Sequence, residues 1–290
     1  MSGPHADAVD RDPDVLDLIR RALKEDVGAG DVTTRALVRP STRVKAAVIA
    51  REACVAAGMS VFARVLTEVD PAIVCTPVKR DGARAAADES LVEIHGPAAG
   101  ILTGERTALN FLQRLTGIAT LTRRFVDAVA GTGVTILDTR KTTPTMRALE
   151  KYAVRCGGGE NHRMGLYDRV LIKDNHRRLW KPGAESRLDL AVREARRVNP
   201  GLEIEVEIET EEELAGVLKA PPDWVLLDNM APDKLRRLAG LCAGRCRVEA
   251  SGGITLGNVA EVAACGVDAI SLGCLTHSAP AVDLSLEIAL

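Results

Sequence analysis

Aromatic side chains are nearly missing from this chain. Its 290 residues include two Trp, two Tyr and three Phe. A core must therefore be built from Ala, Val, Leu and Ile. Stacking platforms for single-stranded nucleic acid, which need exposed aromatics, are excluded. Long apolar runs are missing as well, and none approaches the roughly 20 residues of a membrane-spanning helix. The opening stretch MSGPHADAVDRDPD is acidic and polar and lacks the apolar segment of a signal peptide, so a cytoplasmic protein is expected. No charge of one sign dominates: 38 Lys and Arg face 40 Asp and Glu, a net charge of -2, whereas nucleic-acid binders are more often basic throughout. The seven cysteines are scattered. The closest pair, Cys242 and Cys246, has no further metal ligand nearby, and free thiols are expected in a reducing compartment.

Hydrophobic content of 46% with 27% charged residues describes a soluble globular protein with a full core, in two domains or one large barrel. Residues 1–12 read as a disordered tail. Pro13 and Asp14 open an amphipathic helix with Leu16, Ile19 and Leu23 on one face, ending in the loop Gly28-Ala29-Gly30-Asp31. Short β-like pieces follow at Val44–Ala50, Val55–Gly58, Ile73–Val78 and Leu91–His95, with one helix near Met59–Val69. A long helical stretch then begins near Gly100 and reaches Ala130, with a break expected at Gly117. From Gly133 apolar strands alternate with helices: Val134–Leu137, Val170–Ile172, Ile204–Ile208, Trp224–Leu227, Arg247–Ala250 and Ala269–Leu272. This is the pattern of βα units on a parallel sheet covered on both faces.

The ends of those strands carry Asp138, Lys173, Glu207, Asp228, Ser251 and Gly273 in turn. In βα barrels the active site sits at the C-terminal rim of the strands, and this series describes such a rim. Around it lies a dense cationic block, Asp138 to His176, with Arg140, Lys141, Arg147, Lys151, Arg155, Arg163, Arg169 and Lys173, followed by Arg177 and Arg178. A local concentration of positive charge in a slightly acidic chain points to a small, highly charged anion. Arg140 can grip a carboxylate or phosphate through paired hydrogen bonds, and Lys141 adds a compact charge. Thr142 and Thr143 add hydroxyls, and Pro144 suits the first turn of a following helix. Gly157-Gly158-Gly159 allows close backbone approach to a ligand and leads into His162 and Arg163, read as ligand contacts. Ser251-Gly252-Gly253 and Gly273 resemble the backbone phosphate sites after the last barrel strands. Glu207 and Asp228 could bind ribose hydroxyls, hold Mg²⁺ against a diphosphate, or stabilise a cationic transition state.

Ten segments, taken in order from residue 25 to residue 273, resemble the quinolinate phosphoribosyltransferase family. They include Glu25-Asp26-x-Gly-x-Gly-Asp31, Gly104-Glu105-Arg106-x-Ala-Leu-Asn110, Asp138-Thr139-Arg140-Lys141-Thr142-Thr143-Pro144 and Glu150-Lys-Tyr-Ala-Val154. Gly157–Gly159 with His162-Arg163, Lys173-Asp-Asn-His176 and Glu205-Val-Glu207 continue the match. Leu227-Asp-Asn229, Glu249-Ala-Ser-Gly-Gly-Ile254 and Ser271-x-Gly273 complete it.

The resemblance implies an N-terminal α/β open sandwich, residues 13–116 with 276–290 returning to it, and a C-terminal incomplete α/β (TIM-like) barrel, 117–275. It implies a homodimer or a hexamer of dimers, with the active site shared and Arg106 reaching the partner's pocket. The implied reaction joins quinolinate to 5-phosphoribosyl-1-diphosphate, with Mg²⁺ required. The resemblance then distributes roles. Arg106, Arg140, His162, Arg163 and Lys173 hold quinolinate, Thr139 is a further substrate contact, and Lys141 and Lys173 face the diphosphate. Glu207 and Asp228 take the ribose hydroxyls and Mg²⁺, and Ser251, Gly252, Gly253 and Gly273 take the 5-phosphate. Other classes remain open on the residues alone: an aldolase with Lys173 as Schiff-base lysine, a phosphoribosyltransferase for another ring acid, and a metabolite sensor on the same fold.

Overall fold

A computed structural model describes residues 9–180 and 187–289. Residues 1–8 of the expected disordered tail lie outside the described residues. Val9–Arg11 form a single 3₁₀ turn, contrary to that expectation, because the Asp12 carboxylate behind them accepts from the Asp14 N–H and starts a helix. The elements in chain order are α1 Pro13–Val27, α2 Val32–Leu37, β1 Arg43–Ala50, β2 Cys54–Val55, α3 Met59–Val69, β3 Val74–Pro77, β4 Arg84–Ala85, β5 Ser90–Pro97 and α4 Ala98–Ala128. Then follow β6 Thr135–Leu137, α5 Arg147–Cys156, β7 Val170–Ile172, α6 Asp174–Trp180, α7 Leu188–Val198, β8 Ile204–Ile208 and α8 Glu211–Val217. The chain closes with β9 Trp224–Asp228, α9 Pro232–Cys242, β10 Arg247–Ser251, α10 Val259–Ala263, β11 Ala269–Ser271, α11 Cys274–His277 and β12 Leu284–Ala289. Among the described residues no helix is long and apolar enough to cross a membrane.

The chain forms two compact units. The first holds residues 1–123, 141–158 and 274–290; the second holds 124–140 and 159–273. The division between these compact units falls inside α4, and the segment carrying α5 belongs to the first unit.

In the first unit a four-stranded antiparallel sheet runs in the order β12-β1-β5-β3. β1 buries Ala46, Val48 and Ala50 and leaves the residues between them more exposed, the period of two expected of a sheet covered on one face. On α3, Val61, Phe62, Val65 and Leu66 are fully buried at helical spacing. Each contributes roughly 1.5–3 kcal/mol by leaving water. Asp31, read as a loop residue, caps the short α2 by accepting from the Thr34 N–H at 2.9 Å. The strand expected at Val55–Gly58 shrinks to Cys54–Val55, paired with β4, because Gly58 adopts φ 97° and α3 begins directly after it.

Helix α4 is unbroken through Gly117. That glycine meets a neighbouring segment instead of ending the helix: a Cβ there would lie 2.0 Å from the Pro280 carbonyl oxygen. Gly157 has a similar reason, since its Cβ would sit 2.6 Å from the Ala119 carbonyl oxygen and 2.5 Å from Thr122 Cβ. The closeness read there as room for a ligand is used for packing against α4.

In the second unit six parallel strands run in the order β6-β11-β10-β9-β8-β7. β6 and β7 are the two ends of this order, which makes the barrel-like sheet incomplete. β8 is buried along its whole length, as expected of a strand covered on both sides. α8 opens on a capping box in which Thr210 and Glu213 exchange side-chain to backbone hydrogen bonds.

Candidate active site

Parallel strands place all their C-terminal ends on one edge, and the second unit assembles the expected rim there. Thr139 and Arg140 follow β6, Lys173 follows β7, Glu207 lies near the end of β8, Asp228 and Ser251 end β9 and β10, and Gly273 follows β11. Asp228 and Ser251 are direct neighbours in register.

Behind this edge lies a buried polar network. The fully buried Asp138 accepts from Asn161 Nδ2 at 2.6 Å and from the His162 N–H at 2.9 Å, fixing the turn that leads to Arg163. His162 is buried, and both of its ring nitrogens are engaged. Nδ1 accepts from the Arg163 N–H at 2.7 Å. Nε2 lies 3.0 Å from Glu205 Oε2 and 3.3 Å from Glu249 Oε2. Burial opposes charging of the ring, but the two carboxylates outweigh it and push the imidazole up to about 9. The Arg163 N–H is aimed at Nδ1, and the two carboxylates face Nε2. The His162 ring thus also braces the backbone of Arg163.

The two carboxylates differ. Burial raises the proton affinity of each, and Glu205's charge raises Glu249 further. Against burial, the His162 hydrogen bond and charge, with Arg169, hold Glu205 below the usual carboxylate range. Glu249 Oε1 and Glu205 Oε1 have no hydrogen-bond partner. His162, Glu205 and Glu249 bring one ligand atom each within 4.8 Å of one another. The signal in sequence was the alternation Glu203, Glu205, Glu207, Glu209, of which Glu205 and Glu207 fall on one face of β8.

Several members of the cationic block are spent on structure. Arg169 pairs with Glu203 at 2.6 Å and lies over the Trp224 ring. Arg177 is buried against Glu213 at 2.8 Å, and Arg155 stacks on Tyr152. Arg163 donates to the Arg169 carbonyl at 3.2 Å. Burial first, and then the charge of Arg140, lower its proton affinity, so two guanidiniums are held close in a partly desolvated place. Lys173 pairs with Glu207 across adjacent strands at 2.5 Å, its side chain still 46% exposed. Two like charges held close, and an exposed ammonium on the same C-terminal edge, suit an anion supplied from outside.

The loops after β9 and β10 are tied together. The Asn229 N–H donates to the Ser251 carbonyl at 2.8 Å. Gly252 and Gly253 take φ 85° and 65°, and a Cβ on Gly252 would lie 2.8 Å from the Asn229 nitrogen. Ser251, Gly252 and Gly253 line a cavity of about 330 Å³ with Asn229, Met230 and Ile254. Thr255 and Asn258 form a turn before α10.

Arg106 and Lys141 belong to the first unit; both are exposed, Arg106 on α4 and Lys141 in the loop before α5. Pro144 is not in the first turn of α5. It occupies a tight turn in which the Met146 N–H donates to the Thr143 carbonyl at 3.0 Å and Thr145 takes φ 69°, the proline-led arrangement of a type II turn.

Two family models cover most of the chain. The C-terminal domain of quinolinate phosphoribosyl transferase matches residues 118–287, and the N-terminal domain of the same family matches 31–116. The chain belongs to the quinolinate phosphoribosyl transferase family. Among its relatives, the nicotinate-nucleotide pyrophosphorylase [carboxylating] of Mycobacterium leprae is 43% identical over 279 residues, covering 94% of this chain and 96% of that protein. The probable enzyme of the same name from Bacillus subtilis is 41% identical over 273 residues, covering 94% and 93%. The structure of the nicotinate-nucleotide pyrophosphorylase from Francisella tularensis superposes with a TM-score of 0.89 at 36% identity, covering 95% of this chain and 96% of that one. The family's N-terminal sheet domain and C-terminal parallel sheet are the two architectures described above.

Proposed function

We infer that the chain transfers the phosphoribosyl group of 5-phosphoribosyl-1-diphosphate to quinolinate, releasing diphosphate and CO₂ and forming nicotinate mononucleotide, a step of NAD biosynthesis. The observation that carries this reading is the rim itself, where Arg140, Arg163 and Lys173 stand beside Glu207, Asp228 and the glycine loop of β10. A dicarboxylate and a sugar bearing a phosphate and a diphosphate match this pattern in sign. Family membership supports it independently.

The chemistry is positioning and electrostatics. Arg140, His162, Arg163 and Lys173 hold quinolinate's carboxylates, with Thr139 as a further substrate contact, and the His162 ring also accepts from the Arg163 N–H. Arg106 serves the same ligand from a partner subunit in a homodimer or larger assembly. Lys141 and Lys173 face the diphosphate. The ring nitrogen forms a bond to the anomeric carbon as the bond to diphosphate breaks. The resulting pyridinium then stabilises the electron pair left on the ring carbon when the adjacent carboxylate departs as CO₂, and that carbon takes a proton from water. Glu207 and Asp228 bind the ribose hydroxyls and favour positive charge on the sugar. Ser251, Gly252, Gly253 and Gly273 take the 5-phosphate through backbone N–H groups.

Mg²⁺ belongs to this proposal. Glu207 and Asp228 offer the hard oxygen donors it prefers, one or two carboxylates with water and phosphate completing the shell. Bound there, it would neutralise the diphosphate. Glu207 is held by Lys173 until then. The reaction needs only water-soluble substrates, in keeping with a cytoplasmic enzyme.

The test is a turnover assay with quinolinate, the sugar diphosphate and Mg²⁺ that follows CO₂ and diphosphate together. One CO₂ per diphosphate is expected. Arg140→Ala and Lys173→Ala should each lower kcat/KM by about 100-fold or more. Near-normal turnover in both variants, or turnover of nicotinate without CO₂, overturns the reading.

A further inference from the structure

Lys141 is exposed, yet the backbone around it is held from behind by a buried ion pair that the reaction above leaves unused. Glu150, on α5, is fully buried. Its Oε1 accepts from Arg114 Nη2 at 2.8 Å, from Arg114 Nε at 3.3 Å and from Thr143 Oγ1 at 2.8 Å. Its Oε2 accepts from the Thr143 N–H at 3.0 Å. Arg114, on α4, spends the rest of its guanidinium on the other side: Nη1 donates to the Ala279 carbonyl at 2.8 Å and Nη2 to the Thr276 carbonyl. Thr276 closes the circuit, donating from Oγ1 to the Lys141 carbonyl at 2.8 Å. Every member lies in the first unit.

The loop is thus gripped at two points, the Lys141 carbonyl and the Thr143 amide and hydroxyl, and both grips converge on Arg114. The turn that follows places the β-branched Thr145 at φ 69°, a conformation such residues avoid unless their surroundings impose it. Stability alone does not account for the arrangement, because a buried ion pair is commonly no more stabilising than apolar packing of the same volume. What this circuit supplies is one defined backbone path on either side of Lys141.

We propose that Arg114 and Glu150 are positioning residues for Lys141, holding the loop 141–145 so that its ammonium is presented to the anionic sugar substrate in a single place. The proposal rests on the assignment of Lys141 to the diphosphate made above. It touches no reacting atom, so its signature is dependence on Lys141.

The experiment is a double-mutant cycle in the full-length protein, measuring kcat and KM for the sugar diphosphate. Glu150→Gln, Thr276→Val and Thr143→Val are each made alone and on a Lys141→Ala background. If Glu150→Gln fails to fold, the two threonine variants complete the cycle, since each removes one hydroxyl and keeps the shape. With Lys141 present, each variant should lower kcat/KM, by up to about 100-fold for Glu150→Gln, mostly through KM for the sugar diphosphate. With Lys141 already removed, the same changes should move it by less than about twofold, because interacting residues are not additive. Equal losses on both backgrounds indicate a general structural role and overturn the inference. Unchanged kinetics in Thr276→Val and Thr143→Val, with Lys141→Ala impaired, overturn it as well. Normal turnover of Lys141→Ala itself overturns the assignment of Lys141 and the inference together.

Discussion

Two glycines in helices should respond to the same substitution with opposite signs. Replacing a mid-helix glycine by alanine usually stabilises a protein by up to ~1 kcal/mol, because the unfolded chain loses freedom and the helix gains propensity. Gly240, late in α9, has nothing within 4 Å of its would-be Cβ, so Gly240→Ala should gain ~0.5–1 kcal/mol. Gly117, in α4, has the Pro280 carbonyl oxygen at 2.0 Å and Ala281 Cα at 3.2 Å from the same position.

Both clashing groups are backbone, so relief requires the segment before β12 to move by well over an ångström. That segment is anchored to α4 by three hydrogen bonds: Val282 N–H to the Gln113 carbonyl at 3.2 Å, Gln113 Nε2 to the Leu284 carbonyl at 2.9 Å, and Arg114 Nη1 to the Ala279 carbonyl at 2.8 Å. Losing the two neutral bonds costs ~1 kcal/mol each, and the charged one ~1.5–3 kcal/mol. Set against the propensity gain, Gly117→Ala should destabilise by ~2.5–4.5 kcal/mol. Urea titration of both variants reads this as midpoint shifts in opposite directions at unchanged slope. A Gly117→Ala protein as stable as the parent, beside a stabilised Gly240→Ala, would refute the reasoning.

Two further outcomes follow from the second unit. Thr210→Ala removes the side-chain acceptor of the Glu213 N–H in the capping box of α8 and should cost ~1 kcal/mol in the same urea titration; a loss below ~0.3 kcal/mol would count against the cap. Glu249 has its pKa raised, by burial and then by Glu205, so its contribution to stability is present below the ordinary glutamate range and fades as pH rises through the raised value. Glu249→Gln mimics the protonated form, so the stability difference between variant and parent should move in the variant's favour as pH climbs above ~4.3. A pH-independent difference would show that Glu249 titrates normally in the fold.

Much of the fold was legible because it depends on local periodicity. The six barrel strands fall where apolar runs predicted them, within a residue at each end. α1 opens at Pro13 behind its Asp12 cap, and α3 spans Met59–Val69. α2 was missed because six residues carry little periodic signal and its cap reads equally well as a turn. The rim was legible for a related reason: parallel strands share one C-terminal edge, so the last polar residue of each apolar run marks it. The buried network behind the rim was not, because nothing local says that Glu249 and Glu205 converge on His162, or that Asp138 holds the His162 amide.

By itself, then, the amino-acid sequence determined the order of elements, the parallel character of the second sheet, the set of rim residues and the family. These are readings of pattern along the chain, and neighbouring residues suffice for them. Only the tertiary structure decided how each charge and each glycine is used. It gave Arg169 to Glu203 and Trp224, Arg177 to Glu213, the unbroken Gly117 to the passing Pro280, and Gly157 to α4. It set the His162 ring against the Arg163 N–H, and it placed the Arg114–Glu150 pair behind Lys141. The physical reason is common to all of these. A cation or a glycine announces what it is able to do, but its partner comes from a segment distant in sequence, and the partner settles whether it meets a ligand or holds the protein together.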